Sequence, residues 1–300
     1  MTSTALPLGR DYGARDANIR CLTYSPVQKL TGLPLDTFAA YWRDVHGPLC
    51  SRLPGLGYYI QFHFSRTKTA NLWPRLEGVE NIDFPLDGAV EIGFPNNDDM
   101  GVFTLASSLL FGDEVNAFAW DAAYFLPNGS RTFVDRQAYP IPNGPDKLHR
   151  LHVYLHGSLD TGFREWVSRF AETMAADASV LKVRLHVPEP YDNANPQPPS
   201  PVDHRVQENM LTIAIMEIGF DNALSARQFF DSDLFLATRR EQALHVKAMA
   251  AYLVTGVYTF VRDSAPTNAG LRGSRVAELI EQTGAANHLQ PQVTSLFSRR

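Results

Sequence analysis

The sequence predicts an α+β protein built from two related antiparallel-sheet units, and three observations carry that reading. The strand Ala89-Val90-Glu91-Ile92-Gly93-Phe94 returns as Ile215-Met216-Glu217-Ile218-Gly219-Phe220. Phe38 and Phe163, and Leu56 and Leu181, are each separated by 125 positions, while Glu91 and Glu217 are separated by 126. Around these anchors the hydrophobic period changes in the same order twice, strand, helix, strand, strand, helix, strand, which is the pattern of a tandem repeat.

In the first copy, Ile19 to Ser25 alternates as a strand, and Phe38, Trp42, Val45 and Leu49 give helical spacing over Leu35–Leu53. Leu56 to Phe64 is an aromatic strand, a loop covers Ser65 to about Leu86, and the Glu91 strand follows. Helical spacing in two pieces is predicted from Asp98 to about Phe125, with Arg131 to Ala138 as the closing strand. Three prolines and a glycine between Pro140 and Pro145 break both regular structures, which places the boundary between copies there. The second copy reads as a strand over Leu148–His156, a helix over Phe163–Ala176 and a strand over Val180–Val187. A proline-rich loop from Pro188 to Asn209 separates these from the Glu217 strand. Two helical pieces over Ser225–Leu253 and a last strand over Thr255–Arg262 complete it.

The division is therefore an arm at 1–18, a first βαββαβ unit at 19–139, a linker at 140–146, a second unit at 147–262 and a tail at 263–300. The tail carries an amphipathic helix through Val276, Leu279 and Ile280. A βαββαβ unit is ferredoxin-like, with both helices on one sheet face. Two such sheets packed face to face would cover each other's bare faces and enclose a cavity.

Composition narrows the function class. With 44% hydrophobic and 20% charged residues the chain is globular, and a net charge of −5 with scattered Lys and Arg argues against nucleic acid. No signal-like or membrane-length apolar run occurs, so a cytoplasmic location is expected. Cys21 and Cys50 are expected to be reduced thiols, because two cysteines without a Cys-x-x-Cys spacing make neither a disulfide framework nor a metal knuckle. His152 and His156 would stand about 13 Å apart on one strand face, with His149 on the other, so a shared metal ion is not expected.

The segment Phe38-Ala39-Ala40-Tyr41-Trp42-Arg43-Asp44-Val45-His46-Gly47-Pro48-Leu49, with Leu53-Pro54-Gly55-Leu56, Tyr58-Tyr59-Ile60-Gln61-Phe62-His63 and Asp87-Gly88-Ala89-Val90-Glu91, resembles the EthD-domain family. The resemblance implies a dimeric α+β barrel, here closed within one chain. It also implies a superfamily of cofactor-free dehydratases, cyclases, isomerases and monooxygenases, alongside members of unknown role. The second copy departs from the pattern: at an offset of 125, Trp42 falls on Val167 and His46 on Ala171.

Two residues are candidate proton carriers. His46 lies a turn after Trp42 and directly before Gly47-Pro48, at an expected kink or helix end whose carbonyls would hold its ring near neutrality. Glu91 would point between the sheets, as a base or as a partner of Arg20 or Arg43. Trp42, Tyr59, Gln61 and His63, with Arg184, His186 and Glu217 from the second copy, are expected to line the cavity and bind substrate. Arg184 is an expected ion-pair partner of Glu217. The reaction expected is a lyase or isomerase step by acid–base catalysis on a small aromatic or polyketide-like metabolite, with neither metal nor cofactor. Haem ligated by His245 is an alternative by fold analogy, and a non-catalytic binding protein is another. A homodimer is compatible with the tail helix.

Overall fold

The computed structural model describes residues 11–67, 73–137, 141–158 and 161–297. The first ten residues of the expected arm, part of the first long loop, the start of the linker with Ala138 and Pro140, and the last three residues of the tail lie outside them.

The first unit comprises helix α1 (Asp11–Asn18), β1 (Cys21–Lys29), α2 (Leu35–Tyr41), a π-helical turn (Trp42–His46), α3 (Gly47–Ser51), β2 (Tyr58–Phe64), β3 (Glu80–Asn81), β4 (Gly88–Phe94), α4 (Asn97–Ala106), α5 (Ser108–Glu114), β5 (Phe118–Asp121), β6 (Tyr124–Leu126) and β7 (Arg131–Asp135). The second comprises β8 (Asn143–Pro145), β9 (His149–Gly157), α6 (Thr161–Ala176), β10 (Val180–His186), β11 (Ile213–Phe220), α7 (Ala223–Phe230), α8 (Asp233–His245) and β12 (Val246–Arg262). The tail adds β13 (Ala265–Pro266), α9 (Asn268–Arg272) and α10 (Ser274–Gln282).

Hydrogen bonding runs β5-β1-β4-β2-β12-β9-β11-β10-β7. Within this path β5-β1-β4-β2 and β12-β9-β11-β10 have one strand order, that of a ferredoxin-like unit, so the repeat seen in sequence is a repeat of topology. Each unit's closing strand runs on to its neighbour. The N-terminal part of β12 pairs with β9, and its continuation from Val254 pairs with β2 of the first unit. In the first unit the same path is broken into pieces: β5 and β6 pair with β1, and β7 crosses to pair with β10. The two exchanges join the sheets into a barrel within one chain, and helices cover its outside.

The repeated Glu-Ile-Gly-Phe shows how sequence sets this geometry. Val90 and Phe94 of β4 pack toward the helices, and Ala89 faces the barrel interior, so alternation sends Glu91 inward. A Cβ at Gly93 would stand 2.6 Å from Ile19, and one at Gly219 would stand 2.8 Å from Leu148, so glycine admits the residue leading into each unit's first strand. Two residues beyond each phenylalanine, Asn96 and Asn222 cap the following helices by accepting backbone N–H bonds.

The structure corrects the sequence reading at both closing strands. The helical reach expected to Phe125 stops at Glu114, and that expected to Leu253 stops at His245, with strand in the remainder. Ala248 and Met249 face opposite cores on successive sides of β12, and Phe118 and Trp120 do so across an irregularity in the pairing of β5 with β1. Such strands are apolar on both faces, and periodicity cannot distinguish them from buried helix.

A second correction concerns the space between the sheets, which is filled. Tyr24, Tyr58, Ile60, Phe62, Tyr154 and Ile215 occupy it together with a set of buried charges. Arg184 bonds Glu91 across the two units at 3.0 Å and Asp16 of α1 at 2.5 Å, while Arg150 bonds Glu217, Asp146 and Gln137. Glu91 therefore pairs with Arg184 rather than Arg20 or Arg43, and Glu217 with Arg150 rather than Arg184. Helix α1, expected as a polar arm, closes one end of the barrel: Asp16 accepts the Thr132 N–H at 2.6 Å and Arg15 donates to the Thr132 hydroxyl at 2.6 Å. Helix α10 packs on its own chain through Ala277 and Ile280, with Val276 and Leu279 exposed.

Candidate functional site

A cavity of about 400 Å³ lies on the other face of the first sheet, between β1, β2 and β4 and the helices that cover them. Its floor includes Ser25, Tyr59, Val90 and Ile92, and one wall is Trp42, His46 and Cys50. The roof includes Phe103, Leu110 and Glu114 from α4 and α5, and Phe118 and Asp121 of β5 stand at the side. Gln197, Pro198 and Pro199 complete it from the second unit's proline-rich loop. That loop is stitched to the first unit: Ala123 N–H donates to Gln197 O at 2.8 Å, Asp121 N–H to Asp203 O at 3.1 Å, and the Trp120 indole to Arg205 O at 2.8 Å.

Local sequence explains how Trp42 and His46 reach the wall together. Pro48 has no N–H for the carbonyl an α-helical turn earlier, and Gly47 N–H instead bonds Trp42 O, five residues back, which is a π-helical bond. The chain thus continues as helix through Gly47-Pro48 where a kink or end was expected. The wide turn leaves the Trp42 carbonyl also accepting from Gln61 Nε2 at 3.1 Å. Gly88 makes room for the indole, since a Cβ there would lie 2.5 Å from the Trp42 ring and 2.4 Å from Phe62 O.

Two polar groups meet the cavity with distinct electrostatics. The His46 ring is 6% exposed, and its Nδ1 lies 2.9 Å from Asp113 Oδ2, while the Tyr41 hydroxyl donates to Asp113 Oδ1 at 2.5 Å. The bond from His46 holds Asp113 below the usual carboxylate range. With Nδ1 engaged, Nε2 is the nitrogen left for a ligand. Glu114 is buried, and its Oε2 makes no hydrogen bond. Burial, reinforced by the charge of Asp121, pushes it up to about 8, so its carboxyl is mostly protonated at neutral pH. Asp121 is itself raised by burial and faces His204, whose Nδ1 is 2.7 Å from Asp121 Oδ1. Despite its own burial, His204 is pushed up to about 9 by its bonds to that aspartate.

Of the residues expected from sequence, His46, Trp42 and Tyr59 line this cavity. Gln61 and His63 share Tyr59's strand face but are packed beneath the helix: Gln61 bonds Tyr59 and the Trp42 carbonyl, and His63 stacks on Trp42 at 4.6 Å. Burial lowers His63 to about 3. Glu91, Arg184, His186 and Glu217 face the barrel interior on the opposite side of the sheet, and His186 there meets Ser130 at 2.7 Å. Glu91 and His46 are therefore not parts of one site. His152 and Tyr154 are interior as well, joined through the Tyr24 hydroxyl at 2.7 and 2.9 Å. Among the described residues no cluster of metal-ligating side chains occurs.

His245 does not fit the haem alternative. Its ring stacks on Trp166 at 5.1 Å, and the helix side of the second sheet is packed with Trp166, Val167, Phe170, Met174, Phe229 and Phe235. The sequence reading missed Glu114, Asp121, Ser200 and His204. An available signal was the pair Asp113-Glu114 within an otherwise apolar stretch, because a carboxylate there must be paired or protonated.

Residues 30–110 match the EthD domain family. No curated protein sequence matches the chain. Among solved structures, a monooxygenase-like protein of Fusobacterium nucleatum is 9% identical with a TM-score of 0.49, covering 83% of this chain and 96% of its own. An anthrone oxidase-like protein is 7% identical with a TM-score of 0.49, covering 81% and 94%. Chlorite dismutase from Candidatus Nitrospira defluvii is 12% identical with a TM-score of 0.36, covering 79% and 90%. The EthD match includes Trp42 and His46 but ends before Asp113, Glu114, Asp121 and the loop bearing His204. No helix among the described residues is long and apolar enough to cross a membrane.

Proposed function

We propose that this protein is an acid–base enzyme acting on a small, mainly apolar and oxygenated ligand held in the first unit's helix-side cavity. The observation that carries the reading is Glu114, a buried carboxyl on the cavity wall with an unpartnered oxygen and a proton it holds to about pH 8. A group that titrates near the working pH is suited to giving and taking a proton. His46, oriented by Asp113, supplies the complementary nitrogen. The aromatic wall of Trp42, Phe103 and Phe118 suits the aromatic or polyketide-like class.

The reaction is a lyase or isomerase step that begins with enolisation. His46 Nε2 takes a proton from carbon beside a carbonyl, the electron pair moves to the oxygen, and Glu114 donates its proton there. Return of the proton from His46 to a different carbon of a conjugated enol gives isomerisation; departure of a β-hydroxyl as water, taking the proton from His46 while the enol oxygen returns its proton to Glu114 and the carbonyl re-forms, gives dehydration. The proposal needs no cofactor, and its catalytic pair is His46 with Glu114. Glu91 is excluded by its position across the sheet.

The test is solvent-deuterium exchange into a panel of aryl 1,3-diketones, read by mass spectrometry. Glu114→Gln and His46→Ala should each lower exchange by about 10²-fold or more, the usual worth of a positioned acid–base group. Exchange within about tenfold of wild type in both variants would refute the assignment. Binding of the diketones without any exchange in the wild type would favour a carrier role.

A further inference from the structure

The second unit lost the helix motif but sends its loop into the first unit's site, and the hydrogen bonds of His204 on that loop define a charge. His204 Nδ1 donates to the Asp121 carbonyl at 2.9 Å and also lies 2.7 Å from Asp121 Oδ1. Its Nε2 is 3.1 Å from the Ser200 carbonyl and 3.1 Å from the Ser200 hydroxyl. Carbonyl oxygens only accept, so both ring nitrogens must carry hydrogen for both bonds to exist, and that describes the imidazolium. The loop is fixed for this task, because the Tyr191 hydroxyl donates to His204 O at 2.7 Å and accepts from Gln197 N–H at 2.9 Å.

We propose that His204 is a positioning residue: its imidazolium keeps Asp121 ionised, and the Asp121 carboxylate in turn confines the site's transferable proton to Glu114. The inference rests on the acid–base reading above and adds to it the control of Glu114 by a residue from the other unit. Two buried carboxyls near one another cannot both be charged without a cation, and the His204 cation lies against Asp121, while it acts on Glu114 by its charge only. Other groups act on the set as well. Asp113 of α5 opposes the ionisation of Glu114, His46 favours that of Asp121, and the Ser200 hydroxyl favours that of Glu114. Asp203 flanks His204 on the loop and is exposed.

Carboxyl-carbon and imidazole-nitrogen NMR titration of the full-length protein tests this without reference to turnover, so a failed enzymatic reading leaves the experiment intact. In the wild type His204 should remain doubly protonated at pH 7.5, and Asp121 should already be ionised there. In His204→Gln the proton affinity of Asp121 should rise by about tenfold or more. In Asp121→Asn, His204 should lose its proton by about pH 7, and Glu114 should release its proton at a lower pH than in the wild type. A neutral His204 ring in the wild type at pH 7.5 would overturn the proposal whether or not the variants fold. So would an Asp121 titration unmoved by His204→Gln.

Discussion

Replacing Glu114 with glutamine gives the sharpest energetic consequence of the site. The folded protein holds the Glu114 proton to about pH 8, whereas an unperturbed glutamate releases it at 4.5. Between those values the folded state binds a proton that the unfolded chain has lost, so stability falls as pH rises through that window. At about 1.4 kcal/mol per pH unit, the two units from pH 6 to pH 8 amount to at most about 3 kcal/mol from this one group. Glutamine matches the protonated acid in shape and cannot ionise. Glu114→Gln should therefore unfold about 4 °C above wild type at pH 6 and about 8–9 °C above it at pH 8, the two converging only below about pH 4.5, at about 2 °C per kcal/mol for a chain of this size. Scanning calorimetry from pH 5 to 9 measures both curves. A difference between the two proteins that stays constant with pH, or a variant less stable than wild type at pH 8, would refute the assignment of a buried neutral carboxyl.

Other residues give further expectations. Arg184→Met should destabilise the fold by about 3–5 kcal/mol because it strands Glu91 in the barrel, and adding Glu91→Leu should restore much of that loss in urea unfolding; no recovery would contradict the pairing. Gly88→Ala should cost about 1–3 kcal/mol, since its Cβ meets the Phe62 carbonyl and the Trp42 ring, and an unchanged midpoint would show that the indole is not tightly seated. Burial lowers His63 and His152 to about 3, so the unfolded chain binds protons that the folded chain does not between about pH 3 and 6.5. Stability should rise with pH across that range, and removing His152 should flatten the rise.

The sequence made the two-unit architecture readable because the Glu-Ile-Gly-Phe strand and its asparagine cap answer local needs that recur in each copy. It also showed that Glu91 points away from the helices. The site was harder to read, for a reason visible in β2. Every residue from Tyr58 to Phe64 is buried, so alternation does not say which face meets which neighbour. Ile60, not Tyr59 or Gln61, sits opposite Glu91, just as Arg184 sits opposite Glu217. The equivalence in that strand is thus an offset of 124, one residue short of the 125 read from sequence, and one residue turns a strand over. Gln61 and His63 were placed on the wrong side of the sheet by that slip. Glu114, Asp121 and His204 form a cluster only because a loop of the second unit crosses onto the first, a contact no local pattern encodes.

The most direct test of the account is the position of a bound ligand. Anomalous diffraction from crystals soaked with a brominated phenol should place bromine in the cavity walled by Trp42, His46 and Glu114. Bromine between the sheets, beside Glu91 and Arg184, would contradict it.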